Sequence, residues 1–485
     1  MVPTMRPSTT NRWLARQQAG KQRGAALLLI MLAIMVAATA VLVSRLSASD
    51  VRAAQLDRTQ EALSDARSAL LAYAAVQPDM SFGAPASLPC PDFDDSLGLP
   101  EGEAHAAACG APGTTVIGRL PWRTLGIEPP RDGSTSCLWY VVSGDYKDAP
   151  GAAEMLNPDS NGQLRLWGIE QAGVTEGQQP ADRIAAMVIA PMASLPGQNR
   201  SAAAGRQCST GFDPRDFVDT DAVSGISNAT LSGVPDAIDT LAIAAGYRET
   251  HNDRVAVITR ADIAAVTLER PDHEARMRTL GRAVTACVAD YARNNSGGTN
   301  DRRLPWPAPT ALTDYRIDAA YDDDAGPTMS GRVPDLSDDS NALTGNTIAR
   351  VLSDCDPVAV PEWSPGMRDT WATWKDHFYY IVAESHVPTA TVPSTCNNCL
   401  TVNGGGQYAA VVLFGSERLD AIGQTRNAPP IDADTKQDVS NYLEAANAMP
   451  FPYAGGGFDL VSQAASATFN DLLFCIDDSL SVSEC

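Results

Sequence analysis

The sequence predicts an α+β protein in which one long N-terminal helix carries two tandem units, each a helix packed on an antiparallel sheet. Three observations lead there. From Ala25 to Gln77 the chain contains neither glycine nor proline, so nothing in it interrupts a helix. Short runs rich in β-branched and aromatic residues follow, as in "LWYVV" at 138–142 and "VAVIT" at 255–259, which is the composition of buried strands. Five segments then recur in the same order along the chain, the signature of an internal repeat.

The first element is a basic leader, residues 1–24. It holds Arg6, Arg12, Arg16, Lys21 and Arg23 and no acid, and it ends on Gly24. An apolar run from Ala25 to Val43 follows at once, broken only by Thr39. At 1.5 Å per residue this run suffices to span a bilayer as a helix. A cleaved secretory signal has a shorter apolar core with small residues after it; here the small residue, Gly24, comes before the run. The basic flank places the N-terminus in the cytoplasm and the rest of the chain outside.

The helix is expected to continue to about Gln77, on the order of 80 Å from its apolar start. Leu56, Leu63 and Leu70 recur every seven residues, with Thr59, Ala66 and Tyr73 between them. Such a narrow stripe packs on a partner surface.

Beyond it, 78–265 reads as a first head and 274–485 as a second. The recurring pairs are "LLAYA" (70–74) with "VADYA" (288–292), "RLPW" (119–122) with "RLPW" (303–306), and "LWYVVSGDY" (138–146) with "FYYIVAESH" (378–386). "RIAAMVIA" (183–190) pairs with "QYAAVVLF" (407–414), and "PGQNR" (196–200) with "IGQTR" (422–426). The second unit opens on a helix near 274–294, and its strands lie near 378–383 and 408–414.

The formal charge is −22. Loss of the leader removes five cations and would bring it to −27. That excludes generic nucleic-acid binding, which needs a basic footprint. All ten cysteines follow the apolar run. Outside the cytoplasm their default state is disulfides, with Cys90 and Cys109 the favoured local pair.

No catalytic signature is found, and the protein reads as a non-enzyme. The five histidines, His105, His251, His273, His377 and His386, form no metalloprotease motif, and neither a nucleophile elbow nor a phosphate-binding loop occurs. Cys396-Asn-Asn-Cys399 offers half of a zinc site without its partner half, and reads as a structural disulfide. Carboxylates cluster in "DFDD" (Asp92, Asp94, Asp95), "YDDDAG" (Asp322, Asp323, Asp324) and "DLSDDSN" (Asp335, Asp338, Asp339). Calcium at Asp92, Asp94 and Asp95 is the metal expectation; solvated surface is the plain alternative. "NPDSNG" at 157–162 resembles the first half of a calcium loop, but its twelfth position is Gly168 rather than an acid. No other cofactor is expected.

A basic leader ending in glycine, an apolar helix starting at the next residue and an amphipathic continuation resemble the type IV pilin and type II secretion pseudopilin family. "LPCPDFDD" (88–95), "IGRLPWRTLG" (117–126) and "CLWYVVSGDY" (137–146) look like segments of long prepilin-like bacterial proteins. The resemblance implies cleavage by a prepilin peptidase between Gly24 and Ala25, and methylation of Ala25. It implies a single pass through the bacterial inner membrane with periplasmic heads, export in a surface filament, and other pilin or pseudopilin subunits as partners. It departs from the family at the fifth mature position, where Leu29 stands in place of glutamate. That glutamate is thought to pair with the N-terminus of the subunit ahead. Its loss, together with the large head, points to a minor, low-copy subunit at the filament tip. The alternative is an adhesin or other binding protein held by an uncleaved signal anchor.

Overall fold

The computed structural model describes residues 15–80, 86–93, 98–111, 113–148, 155–179, 182–200, 207–208, 211–231, 241–294, 301–323, 328–337, 349–391, 394–426, 434–449 and 451–485, apart from the side chains at 15–25, 43–48, 77–80, 108 and 349. It is mixed α+β with two seven-stranded, largely antiparallel sheets.

Helix α1 spans Ala15–Met80, so it begins inside the leader and ends within one turn of the expected Gln77. Residues 26–42 of it are exposed, which is all of the 25–43 run whose side chains are described. Among the described residues no helix is long and apolar enough to cross a membrane. Further along, Thr59, Ala62, Leu63, Ala66, Leu70 and Ala74 are buried, whereas Leu56 is exposed and Tyr73 half-buried. The seat is therefore set by the three-and-four spacing of small and leucine positions rather than by a strict seven-residue stripe.

Under α1 lies the first sheet. Its antiparallel core is β1 (Val116–Arg119), β2 (Trp139–Val142), β5 (Ile184–Ala190) and β7 (Arg254–Thr259), paired in that order. The strands β3 (Leu164–Gly168), β4 (Gly173–Glu176) and β6 (Leu241–Ala245) extend it, with β6 parallel to β3. Strand side chains alternate between faces. Tyr140, Val142, Ala186 and Val188 meet α1, while Trp139, Val141, Met187 and Ile189 pack on the other side against Phe217 and Ile243. Cover on both faces is why β5 reads as unbroken apolar sequence.

A capped helix α2 (Arg260–Leu268) links to α3 (His273–Arg293), which backs the second sheet. There β8 (Ser330–Arg332), β9 (Phe378–Val382), β11 (Gly405–Phe414) and β13 (Leu472–Asp477) pair antiparallel in that order. Helix α4 (Pro365–Trp374) precedes β9. Strands β10 (Leu400–Val402), β12 (Asp459–Leu460) and β14 (Val482–Glu484) complete the sheet, with β12 parallel to β10.

The two layouts agree residue by residue. Tyr140 lies opposite Val188 as Tyr380 lies opposite Val412, and the register slips between Ile184 and Ala186 as it does between Tyr408 and Ala410. One expected equivalence fails. "RLPW" at 119–122 leaves the end of β1, but "RLPW" at 303–306 lies before β8, where Leu304 N donates to His386 O at 2.8 Å. The counterpart of Arg119 is Arg332. Each forms a lone antiparallel bridge, Arg119 to Asp92 and Arg332 to Ala308. Each unit carries two similar dipeptides, Leu88-Pro89 and Leu120-Pro121 in the first, Leu304-Pro305 and Val333-Pro334 in the second. The sequence match joined the wrong two.

Five disulfides link Cys90–Cys109, Cys137–Cys208, Cys287–Cys355, Cys396–Cys399 and Cys475–Cys485.

Candidate functional site

The processing residues lie within α1. Gly24 and Ala25 are helical, with side chains outside the described residues, and Leu29 is 66% exposed. Of the proposed calcium ligands, Asp94 and Asp95 lie outside the described residues, as do Asp324, Asp338 and Asp339. Asp92 is buried, and its carboxylate accepts from Gly102 N at 2.8 Å. Burial pushes that carboxyl up, with the Gly102 bond and the nearby His105 and Arg119 opposing. No ligand-type cluster among the described residues includes Asp92. The group at His386, Cys396 and Cys399 has its two thiols joined, so it offers no thiolate pair to zinc.

The half calcium loop does something else. Asn157 and Asp159 leave the first unit and enter the second. Asn157 Nδ2 donates to Asp376 Oδ1 at 2.9 Å and to Thr373 O at 3.0 Å. Asp159 Oδ2 lies 3.0 Å from His377 Nε2 and 3.3 Å from Arg426 Nη1. Burial pushes the Asp159 carboxyl up, but Arg426, the His377 ring and Lys436 outweigh it and hold it well below the usual carboxylate range. Asp376, which is paired with Lys436, is lowered too: burial raises it, and Lys436 and His377 prevail. Buried Arg332 stands beside them. It donates to Thr310 O at 2.9 Å and to Lys436 O at 2.6 Å, and stacks over Tyr379 at 4.8 Å. A buried ion needs such pairing, because an unpaired one is expelled or neutralised.

Next to this junction is an open cleft between the units. Tyr146, Ile263, Met277 and Trp374 line it, with Arg260 and Arg276 at its wall.

Each unit also holds a polar network built on the same plan. Gln198 Nε2 donates to Asp219 Oδ1 at 2.9 Å, and Gln424 Nε2 to Glu444 Oε1 at 2.8 Å. Asp219 N donates to Asp253 Oδ2 at 2.7 Å, and Glu444 N to Asp471 Oδ2 at 3.0 Å. Asn228 Nδ2 reaches Asp253 at 2.8 Å, and Asn447 Nδ2 reaches Asp471 at 2.8 Å. Arg200 lies over Phe217 at 5.5 Å and Arg426 over Tyr442 at 4.3 Å. These bonds close the long loop after β5 and the one after β11. Most of these bonds run between the network's own side chains and backbone, which fixes the loops, while Asp253 Oδ1 and Asp471 Oδ1 stay without a hydrogen-bond partner.

Of this network, sequence reading found only the Gln and Arg of "PGQNR" and "IGQTR", through the repeat. The acids and asparagines escaped it, because the distance between Asp219 and Asp253 along the chain differs from that between Glu444 and Asp471. The chain matches no family model, no curated protein and no solved structure.

Proposed function

We propose that the protein is a minor pilin-like or pseudopilin subunit, cut by a prepilin peptidase between Gly24 and Ala25 and assembled in low copy at a filament tip. The observation that carries this reading is the division of α1. Its residues 59–74 are seated on the first sheet, while 26–42 of the same helix are apolar and exposed. An apolar helical half without cover needs a bilayer or neighbouring helices around it. A subunit that moves from membrane to filament core supplies both in turn.

On this reading the two units are copies of one ancestral head fused in tandem, with 78–265 and 274–485 as their extents. Leu29 supports the tip position. An acid inside the membrane needs a partner, and leucine at that place needs none. The head binds other proteins rather than performing chemistry.

The test is the N-terminus of protein extracted from membranes of a peptidase-positive host. Intact mass and N-terminal sequencing are expected to give a chain starting at methylated Ala25, and Gly24→Leu is expected to leave it uncut. A mature protein retaining Met1 would favour the signal-anchored adhesin.

A further inference from the structure

We propose that Asp219, His251 and Asp253 form a zinc-class divalent-cation site, present in the first unit and absent from the matching place in the second. One donor atom of each lies within 4.8 Å of the others. His251 and Asp253 are fully buried and Asp219 is 3% exposed.

The bonding leaves donors without partners. Asn228 has two amide hydrogens, which go to Ala244 O at 2.9 Å and Asp253 Oδ2 at 2.8 Å. None is left for His251 Nε2, 3.4 Å away. His251 Nδ1 and Asp253 Oδ1 have no well-formed hydrogen bond, the His251 ring making only a contact with the Gly246 backbone, and Asp471 Oδ1 in the second unit is likewise unpartnered. Asp219 accepts a single bond on each oxygen, from Gln198 at 2.9 Å and from Asn252 N at 2.7 Å. Two carboxylates are thus buried side by side without a direct ion pair. The neighbouring cations are engaged elsewhere: Arg248 pairs with Asp221, and Arg200 donates to Ser136, Gln198 and backbone carbonyls. A buried carboxylate pair of this kind is neutralised by a proton, by a charged partner or by a metal.

The second unit supplies an internal comparison. Backbone bridges Arg248–His251 and Ser466–Phe469 occupy the same turn, so Phe469 stands where His251 stands. Glu444 replaces Asp219, and the Glu444–Asp471 pair keeps the shared network without an imidazole. The common frame therefore does not require His251. A histidine placed against two acids occurs in the first unit and not at the matching place in the second.

The donor set selects the ion. Calcium takes six to eight oxygen ligands, and magnesium keeps its waters. One imidazole with two carboxylates suits zinc, which binds such mixed sets at three protein positions plus one exchangeable ligand.

The test uses the full chain in detergent, equilibrated with Zn²⁺ and then dialysed against metal-free buffer. Elemental analysis is expected to find one zinc per chain, and Co²⁺ in its place should give visible absorption bands. His251→Phe copies the second unit and is expected to lose the zinc with an unchanged far-UV circular dichroism spectrum. Asp253→Asn, an isostere, is expected to lose it too and guards against misfolding of the first variant. Asp471→Asn should retain it. Wild-type protein without zinc after dialysis, full zinc in both first-unit variants, or equal competition by Ca²⁺ would each overturn the proposal.

Discussion

Asp159 is charged, buried and far in sequence from every cation it meets. Removing it leaves the Arg426 guanidinium buried without its carboxylate, and breaking a buried pair in this way costs about 3–5 kcal/mol. Asp159→Ala should therefore lower unfolding stability by that amount at neutral pH in a denaturant titration. The folded carboxyl is held below its unfolded value. Its contribution is thus fully present above the ordinary carboxylate range, near pH 4, and is lost as pH falls through the depressed folded value. The variant's stability should accordingly vary less with pH than the wild type's on the acid side of pH 4.

At the scale of elements, α1 is held by backbone proximity as well as by apolar contact. Gly133 N donates to Thr59 Oγ1 at 2.9 Å, and a Cβ on Gly133 would stand 2.1 Å from Gln55 O. Two main chains touch there, and neither can retreat as a flexible side chain would. Gly133→Ala should cost about 1–3 kcal/mol, the usual range for overpacking, and should raise hydrogen exchange in residues 55–74. Glycine also sets the α3 contact, where a Cβ on Gly281 would lie 2.0 Å from the Phe474 ring. Glycine therefore limits one close contact of each helix, α1 against the turn at Gly133 and α3 against Phe474 of β13.

For the molecule as a whole, the staples respect the division into units. Cys90–Cys109 and Cys137–Cys208 close loops within the first, while Cys287–Cys355, Cys396–Cys399 and Cys475–Cys485 lie within the second. The units are joined by α2 and by the loop of Asn157 and Asp159. Cys287 and Cys355 are 68 residues apart, and loop-closure entropy assigns such a bond about 4 kcal/mol. Replacing both by serine should lower the calorimetric transition of the second unit by that stability and leave the first unit's transition in place. Alkylation of denatured, unreduced protein should label none of the ten cysteines.

Several features were legible before any coordinates. The α+β class followed from a helix-compatible run and short β-branched strands, because local periodicity reports which face is covered. The helix α3 was expected at 274–294 and occupies His273–Arg293. The central strands β2, β5, β9 and the 408–414 part of β11 announced themselves by apolar runs, whereas the Gly405-Gly406-Gln407 start of β11 did not. The local Cys90–Cys109 bond was readable because only a short loop separates its ends. Tertiary structure decided the rest. Which "Leu-Pro" matched which depended on strand pairing with Arg119 and Arg332, and a four-residue identity carries no information about register. Asp159 resembled a calcium ligand in sequence and became an ion-pair partner, since its cations come from residues more than two hundred positions away. Asp219, His251 and Asp253 converge through the parallel placement of β6 on β3 and the turn into β7. Local chemistry fixes what a segment can become, and long-range contacts fix what it meets.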